Sequence, residues 1–293
     1  MKIHPNTSLT GLLLTMAANF LWGTVAVAIG TRLHYLNPYN LVFVRFVVAS
    51  AAIAIASMLF KSLRIGTKIQ KRSTWLLAVV YTLTIVLQFV GQSMTNASDT
   101  ALLTSLAPTI VPVAAFFILK DRISNGQKGA TLLGLLGLLL VTMPKFGPDQ
   151  GHLPGDIVLF ATSLSLALFV VLSKKWNAQT MDDTFAIILV VTLLLAPVAV
   201  LLGRLNPADL YVPLVGWASI IWLGVPCMSI ALALWMKGLG SISASQSGTL
   251  IFIQLVMGFA LAVLLLGEPL TLPITVGAAS IVTGIIISAR AGG

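Results

Sequence analysis

Ten apolar runs divide this chain, and nearly all of its cations lie between them. The runs cover residues 9–29, 39–60, 74–94, 98–119, 128–144, 155–174, 183–203, 213–236, 243–266 and 270–290. A helix that crosses the hydrocarbon layer needs about 20 apolar residues. Each run is near that length, and the joints are too short to hold a separate polar domain. With 58% hydrophobic and 9% charged residues and a mean hydropathy of +1.01, the chain carries more apolar surface than a soluble core can use. Soluble domains average roughly 25% charged residues. Lipid is therefore the expected solvent, and the fold class is all-α integral membrane with ten transmembrane helices. The first run is too long for the apolar stretch of a signal peptide and is read as the first span.

The cations set the orientation. If the N-terminus is cytoplasmic, the inner segments hold thirteen basic residues, among them Lys61, Arg64, Lys68, Lys71, Arg72, Lys120, Lys174 and Arg290. The outer loops then hold three, Arg32, Lys145 and Arg204, and Arg45 alone lies within a span. This asymmetry is the positive-inside pattern. It places both termini in the cytoplasm of a multi-pass protein of the plasma (inner) membrane. It also explains the net charge of +9 without nucleic acid as a partner. The partners expected are the lipid bilayer and a small-molecule substrate, and the oligomeric state stays open between monomer and homodimer. One cysteine, Cys227, permits no internal disulfide and no paired-cysteine metal site. Neither a metal nor a cofactor is expected, and no Gly-x-x-x-x-Gly-Lys phosphate loop occurs.

The chain also repeats. Residues 88–142 align without gaps on 235–289, with Gln88 on Trp235, Gly91 on Gly238, Ala97-Ser98 on Ala244-Ser245, Asp121 on Glu268 and Gly137 on Gly284. Five spans per repeat is an odd number, so the halves are expected to be inverted across the membrane. The first repeat would be residues 1–147 and the second 148–293. Inverted halves are the architecture of alternating-access carriers, with the solute held near the midplane.

Several strings carry a family likeness. They are Ala18-Asn19-Phe20-Leu21-Trp22-Gly23-Thr24, Asn37-Pro38 with Val44-Arg45-Phe46, and the stretch from Ala97 to Pro108 that runs on to Lys120-Asp121-Arg122. The second-half counterpart is Ala244-Ser245 through Gly267-Glu268-Pro269. Over essentially its whole length the sequence resembles the drug/metabolite transporter superfamily, and within it the EamA-type carriers. The resemblance implies a central cavity lined by spans 1, 3, 4, 6, 8 and 9, and export of amino acids or other small metabolites. Asp121 departs from the glutamate that such carriers often have there.

Polar side chains within spans are costly unless they face protein or water. Those near the middle are the candidate substrate contacts: Asn19, Gln88, Gln92, Thr104, Ser105, Ser163 and Gln254, with Trp22 and Tyr81 as an aromatic wall. Gln88 and Gln92 are four apart and share a helix face. Amides both donate and accept, which suits a polar or zwitterionic solute. Arg45, Asp99 and Glu268 are the candidate gating or structural charges. Pro108 and Pro226 interrupt spans and are candidate hinges. Trp235, beside Lys237, reads as an interfacial anchor. Gly134, Gly137, Gly277 and Gly284 read as close-packing positions. The function expected is a secondary transporter and not an enzyme, because acids and histidines are few and scattered. The alternatives are a nucleotide-sugar or sugar-phosphate exchanger, or a membrane-embedded enzyme such as a lipid transferase. A topology assay checks the orientation. Reporters fused after Gly293 or inserted between Lys61 and Arg72 should report cytoplasm, and a tag between Gly147 and Gly151 should be reachable from outside.

Overall fold

A computed structural model describes residues 8–25, 28, 37–60, 63–95, 100, 103–142, 153–205, 212–266 and 272–290. Asp99 and Glu268 lie outside the described residues, as do His4, His34 and His152. The helices are α1 (Leu9–Gly23), α2 (Pro38–Leu59), α3 (Arg72–Gln92), α4 (Ala107–Leu119) and α5 (Asn125–Thr142). The second half supplies α6 (Leu153–Lys175), α7 (Met181–Leu201), α8 (Leu214–Ser241), α9 (Ala244–Leu250 and Phe252–Leu266) and α10 (Leu272–Arg290). A single helical turn, Ile65–Ile69, joins α2 to α3.

Among the described residues, six helices are long and apolar enough to cross a membrane: α2, α3, α6, α7, α8 and α9. The apolar stretches Leu9–Gly23, Ala107–Leu119 and Thr275–Arg290 are shorter. The shortening at α4 has a local cause. Pro108 has no N–H to give the Thr104 carbonyl, so the backbone turns at Ser105 and Leu106 before α4 begins. Pro226 acts differently. It widens α8 into one π-helical turn, Val225–Ile230, and the helix continues on the far side. Many flanking apolar side chains, such as Met58, Phe117, Leu193 and Leu214, remain exposed on the outside of the bundle. That surface suits lipid and no aqueous solvent.

The two halves pair in matched fashion. α3 packs on α6 and α8 packs on α1; α4 packs on α6 and α9 on α1; α3 packs on α7 and α8 on α2. Each pair becomes the other when the first five helices are exchanged for the last five. The pairs α5–α10, α4–α9 and α2–α7 map onto themselves. The α5–α10 crossing shows the register. A Cβ on Gly137 would stand 2.5 Å from the Gly277 carbonyl and 2.6 Å from Ile281. One on Gly284 would stand 2.7 Å from the Ala130 carbonyl and 3.4 Å from the Gly134 nitrogen. The alignment that lays Gln88 on Trp235 also carries Gly137 to Gly284, Ala130 to Gly277 and Gly134 to Ile281. The two contacts therefore exchange.

Small residues let these backbones approach closely enough for dispersion to hold them in lipid. A larger side chain forces them apart, at a cost of about 1–3 kcal/mol. Gly137→Leu and Gly284→Leu should lower the thermal midpoint and the yield of folded protein in detergent. Gly129→Leu is the control on the same helix, because a Cβ there meets nothing within 4 Å. Equal loss in all three variants would show that the crossing is not what the leucines disturb.

Candidate substrate cavity

Three helices are interrupted near their middles, and at two of the interruptions side chains take up backbone carbonyls. At the α4 turn the Ser163 hydroxyl donates to the Leu103 carbonyl at 2.6 Å, with the Thr104 carbonyl at 3.3 Å. At the π-helical turn the Trp22 indole donates to the Cys227 carbonyl at 2.7 Å. The Cys227 thiol in turn donates to the Leu21 carbonyl at 3.4 Å. The α9 break at Ile251 closes as a tight turn, with the Ile251 N–H on the Gly248 carbonyl and the Gln254 N–H on the Ile251 carbonyl. These contacts tie α4 to α6 and α8 to α1.

A cavity of about 160 Å³ opens between the two halves. Trp22 of α1, Arg45 of α2 and Tyr81, Thr84, Ile85 and Gln88 of α3 line one side. Leu166 and Phe169 of α6, Leu232 and Trp235 of α8, and Ile251 and Gln254 at the α9 break line the other. Gln88 and Trp235, aligned in the sequence repeat, both line the cavity, so corresponding positions of the two halves carry different chemistry there.

The wall is largely aromatic. Tyr81 stacks on Phe169 at 4.7 Å between centroids, and Phe169 lies nearly parallel to Trp235 at 6.5 Å. Trp235 tilts against Trp22 at 6.1 Å, and Phe46 sets its edge to Tyr81 at 6.4 Å. Thr84 and Ser165 bond to each other at 2.8 Å and fix α3 against α6 behind this wall. Into it project three polar heads, the Gln88 and Gln254 amides and the Arg45 guanidinium. Among the described residues no side-chain hydrogen bond engages either amide, and the Arg45 Nε has no partner. The Arg45 Cζ is 6.0 Å from the Phe46 ring centroid, at the outer limit of a cation–π contact.

The structure thus gathers five of the sequence candidates, Trp22, Arg45, Tyr81, Gln88 and Gln254, around one cavity. It places the others elsewhere. Asn19 is wholly buried and donates to the Thr15 carbonyl at 2.7 Å within α1. Thr104 donates to the Thr100 carbonyl, and Ser105 sits in the turn before α4. Ser163 is spent on that turn. Gln92 ends α3, a full turn past Gln88 and outside the lining. Pro226 sits in the π-helical turn behind the wall, and Pro108 follows the α4 turn. Trp235 corrects the sequence expectation of an interfacial anchor. It is 2% exposed, packed between Phe169 and Trp22, and faces the cavity. Its neighbour Lys237 suggested an interface, but α8 turns the two residues to different sides. The repeat alignment held the signal, because it laid Trp235 on the candidate Gln88. Phe169, apolar and unremarkable in sequence, was not legible at all.

With this geometry in hand, comparison with known proteins is direct. The model of the EamA-like transporter family matches the chain twice, over residues 9–143 and 153–290. The chain belongs to the EamA-like transporter family. It is 24% identical over 257 residues to the uncharacterized transporter YetK of Bacillus subtilis, covering 83% of this chain and 76% of that one. It is 23% identical over 287 residues to an uncharacterized transporter of Archaeoglobus fulgidus, covering 95% and 98%. A crystal structure at 18% identity superposes with a TM-score of 0.83 over 95% of this chain and 96% of the other, which establishes a shared fold. Membership makes this a multi-pass membrane transporter of the drug/metabolite superfamily, in two repeats.

A cluster of charges gathers at the helix ends where the sequence places the basic loops. Lys174 at the end of α6 donates to the Leu239 carbonyl at 3.0 Å and to the Ile242 carbonyl, closing the α8–α9 hairpin. Asp121, just past α4, lies beside Lys174 and accepts from the Ala244 N–H at the start of α9. Lys68 pairs with Asp183 at 2.9 Å nearby. Burial raises the Asp121 carboxyl above its ordinary range, and Lys174 and the Ala244 N–H only partly oppose this. The sign follows from linkage. An acid whose folded pKa is raised contributes stability that is full below the ordinary Asp value and is lost as pH rises through the folded value. Asp121→Asn cannot ionise and escapes that loss. The thermal midpoint of Asp121→Asn minus that of the parent should therefore grow between about pH 4 and pH 7. A difference that shrinks over this range would mean that attraction to Lys174 outweighs burial.

Proposed function

We infer that this protein is a secondary carrier that moves small polar metabolites, amino acids and related compounds among them, outward by alternating access. One observation carries the reading. The central cavity is walled by both halves, the Arg45 Nε and Trp235 Nε1 in its lining are buried without a partner, and no hydrogen bond among the described residues engages the Gln88 or Gln254 amide. Polar groups buried without partners cost free energy unless water or a ligand satisfies them. An amide pair on an aromatic wall is suited to a compact solute with both polar and apolar parts.

The two halves, residues 1–147 and 148–293, are in this reading inverted repeats that rock about the cavity. The matched helix pairings and the exchanged glycine contacts support that view. The interrupted helices α4, α8 and α9 give the motion its hinges, with Pro108 and Pro226 at two of them. The inner-membrane location and the cytoplasmic termini rest on the distribution of basic residues. A nucleotide-sugar or sugar-phosphate exchanger would want several cations at the site, and Arg45 is the single cation in this lining.

Flux in proteoliposomes tests the reading. The purified protein should support saturable counterflow of labelled amino acids from a mixed pool. Gln88→Ala and Gln254→Ala should each weaken apparent affinity by roughly 2- to 12-fold, for the loss of one neutral hydrogen bond of about 0.5–1.5 kcal/mol. Folded protein should be unchanged in both. Asn19→Ala, whose bond lies inside α1, should leave affinity alone. Flux that rises linearly with solute concentration would point to a channel, and a protein that turns over a lipid without moving solute would point to the enzyme reading.

A further inference from the structure

Two cations lie deep among these helices, and they are treated differently. Lys174 is engaged by the carbonyls of Leu239 and Ile242, with Asp121 beside it. Arg45 has no hydrogen bond to any described residue, and its Nε is buried without a partner. The one ion pair among the described residues is Lys68–Asp183, remote from it on the inner side. An unpaired cation removed from water is expensive, and protein interiors ordinarily complete it with a carboxylate or with carbonyls. Here Arg45 lines the cavity instead.

The rest of the lining describes what would stand in front of it. Tyr81, Phe169 and Trp235 present near-parallel rings, stacked at 25° and 13° to one another. Such a wall takes a flat or branched apolar body. A void of about 150 Å³ holds one benzene ring, so the 160 Å³ found here limits that body to roughly one ring. Gln88 and Gln254 add neutral donors and acceptors. They can serve an ammonium group but do not require one.

Resting on the carrier reading above, we propose that Arg45 is the carboxylate-binding residue of the cavity, and that the solutes carried are compact monocarboxylates, amino acids included, with an apolar body of about one ring. The planar guanidinium matches a carboxylate in shape and charge. The solute thus supplies the anion that the described protein does not. This assigns Arg45 a role in specificity in place of a gating or structural charge. It also narrows the solute class from polar metabolites to carboxylates.

Four compounds with one phenyl body test it: 3-phenylpropionate, phenylalanine, phenethylamine and 2-phenylethanol. Equilibrium binding is measured on the full-length protein in lipid nanodiscs at neutral pH. The two carboxylates should bind at least about tenfold more tightly than phenethylamine and 2-phenylethanol, as expected for a hydrogen-bonded charge. Arg45→Gln should erase that gap while leaving 2-phenylethanol binding within about twofold, and Arg45→Lys should restore part of it. The comparison in the parent decides the matter even if Arg45→Gln does not fold. Equal binding of phenethylamine or 2-phenylethanol and 3-phenylpropionate by the parent overturns the assignment, as does binding of none of the four. Flux separates the two readings. Saturable amino-acid counterflow without a carboxylate preference leaves the carrier standing and removes Arg45 from the site. A carboxylate preference lost in Arg45→Gln, with no solute moved, leaves Arg45 in place and removes the carrier.

Discussion

Every backbone carbonyl that loses its helical partner must find another where water is scarce, and this requirement organises the centre of the bundle. Pro108 and Pro226 each remove one N–H. The helix around Pro108 gives way to a turn whose Leu103 carbonyl is taken by Ser163. The helix around Pro226 widens, and its Cys227 carbonyl is taken by Trp22. Each repair crosses from one half of the chain to the other. The same bonds that make the interruptions tolerable therefore fix α6 against α4 and α1 against α8. A cavity can persist between the halves because its frame is tied by these bonds and not by filling the space with side chains.

The chemistry of that cavity follows from what its frame leaves over. Thr84, Ser163 and Ser165 spend their hydroxyls on neighbouring carbonyls or on each other, and so belong to the frame. Gln88, Gln254 and Arg45 are longer, reach past the frame, and end in the cavity. Between them lies a wall of rings that offers contact area but little hydrogen bonding. The division between short hydroxyls that bind backbone and long heads that reach a cavity is the ordinary behaviour of these side chains in apolar surroundings.

At the periphery the constraint is different. α5 and α10 contribute nothing to the lining and hold the halves together by backbone proximity at Gly137 and Gly284. In lipid there is no hydrophobic drive to press helices together, so close approach and dispersion must serve. The charged cluster of Lys174, Asp121 and the α8–α9 hairpin closes one end of the bundle. It is a region where partial burial raises the pKa of an acid, and so one where pH acts on the fold.

The sequence by itself determined the solvent, the helical class and the twofold repetition. Those properties are written in runs of about 20 apolar residues, in the placement of cations, and in spacings such as that from Gly137 to Gly284, all of which are local or periodic. It also supplied Trp22, Arg45, Tyr81, Gln88 and Gln254 as candidates, because a polar or aromatic side chain in the middle of a span stands out by composition alone. Tertiary structure decided which candidates meet. Asn19, Ser163 and Thr104 look equivalent to Gln88 on paper, yet each donates its short side chain to a backbone carbonyl and stays outside the cavity lining. Trp235 and Phe169 enter the wall only because α6 and α8 turn those faces inward, and the π-helical turn before Ala231 sets the facing of everything after it in α8. Rotation about a helix axis is set by packing against neighbours, and no run of apolar residues in a single helix encodes it.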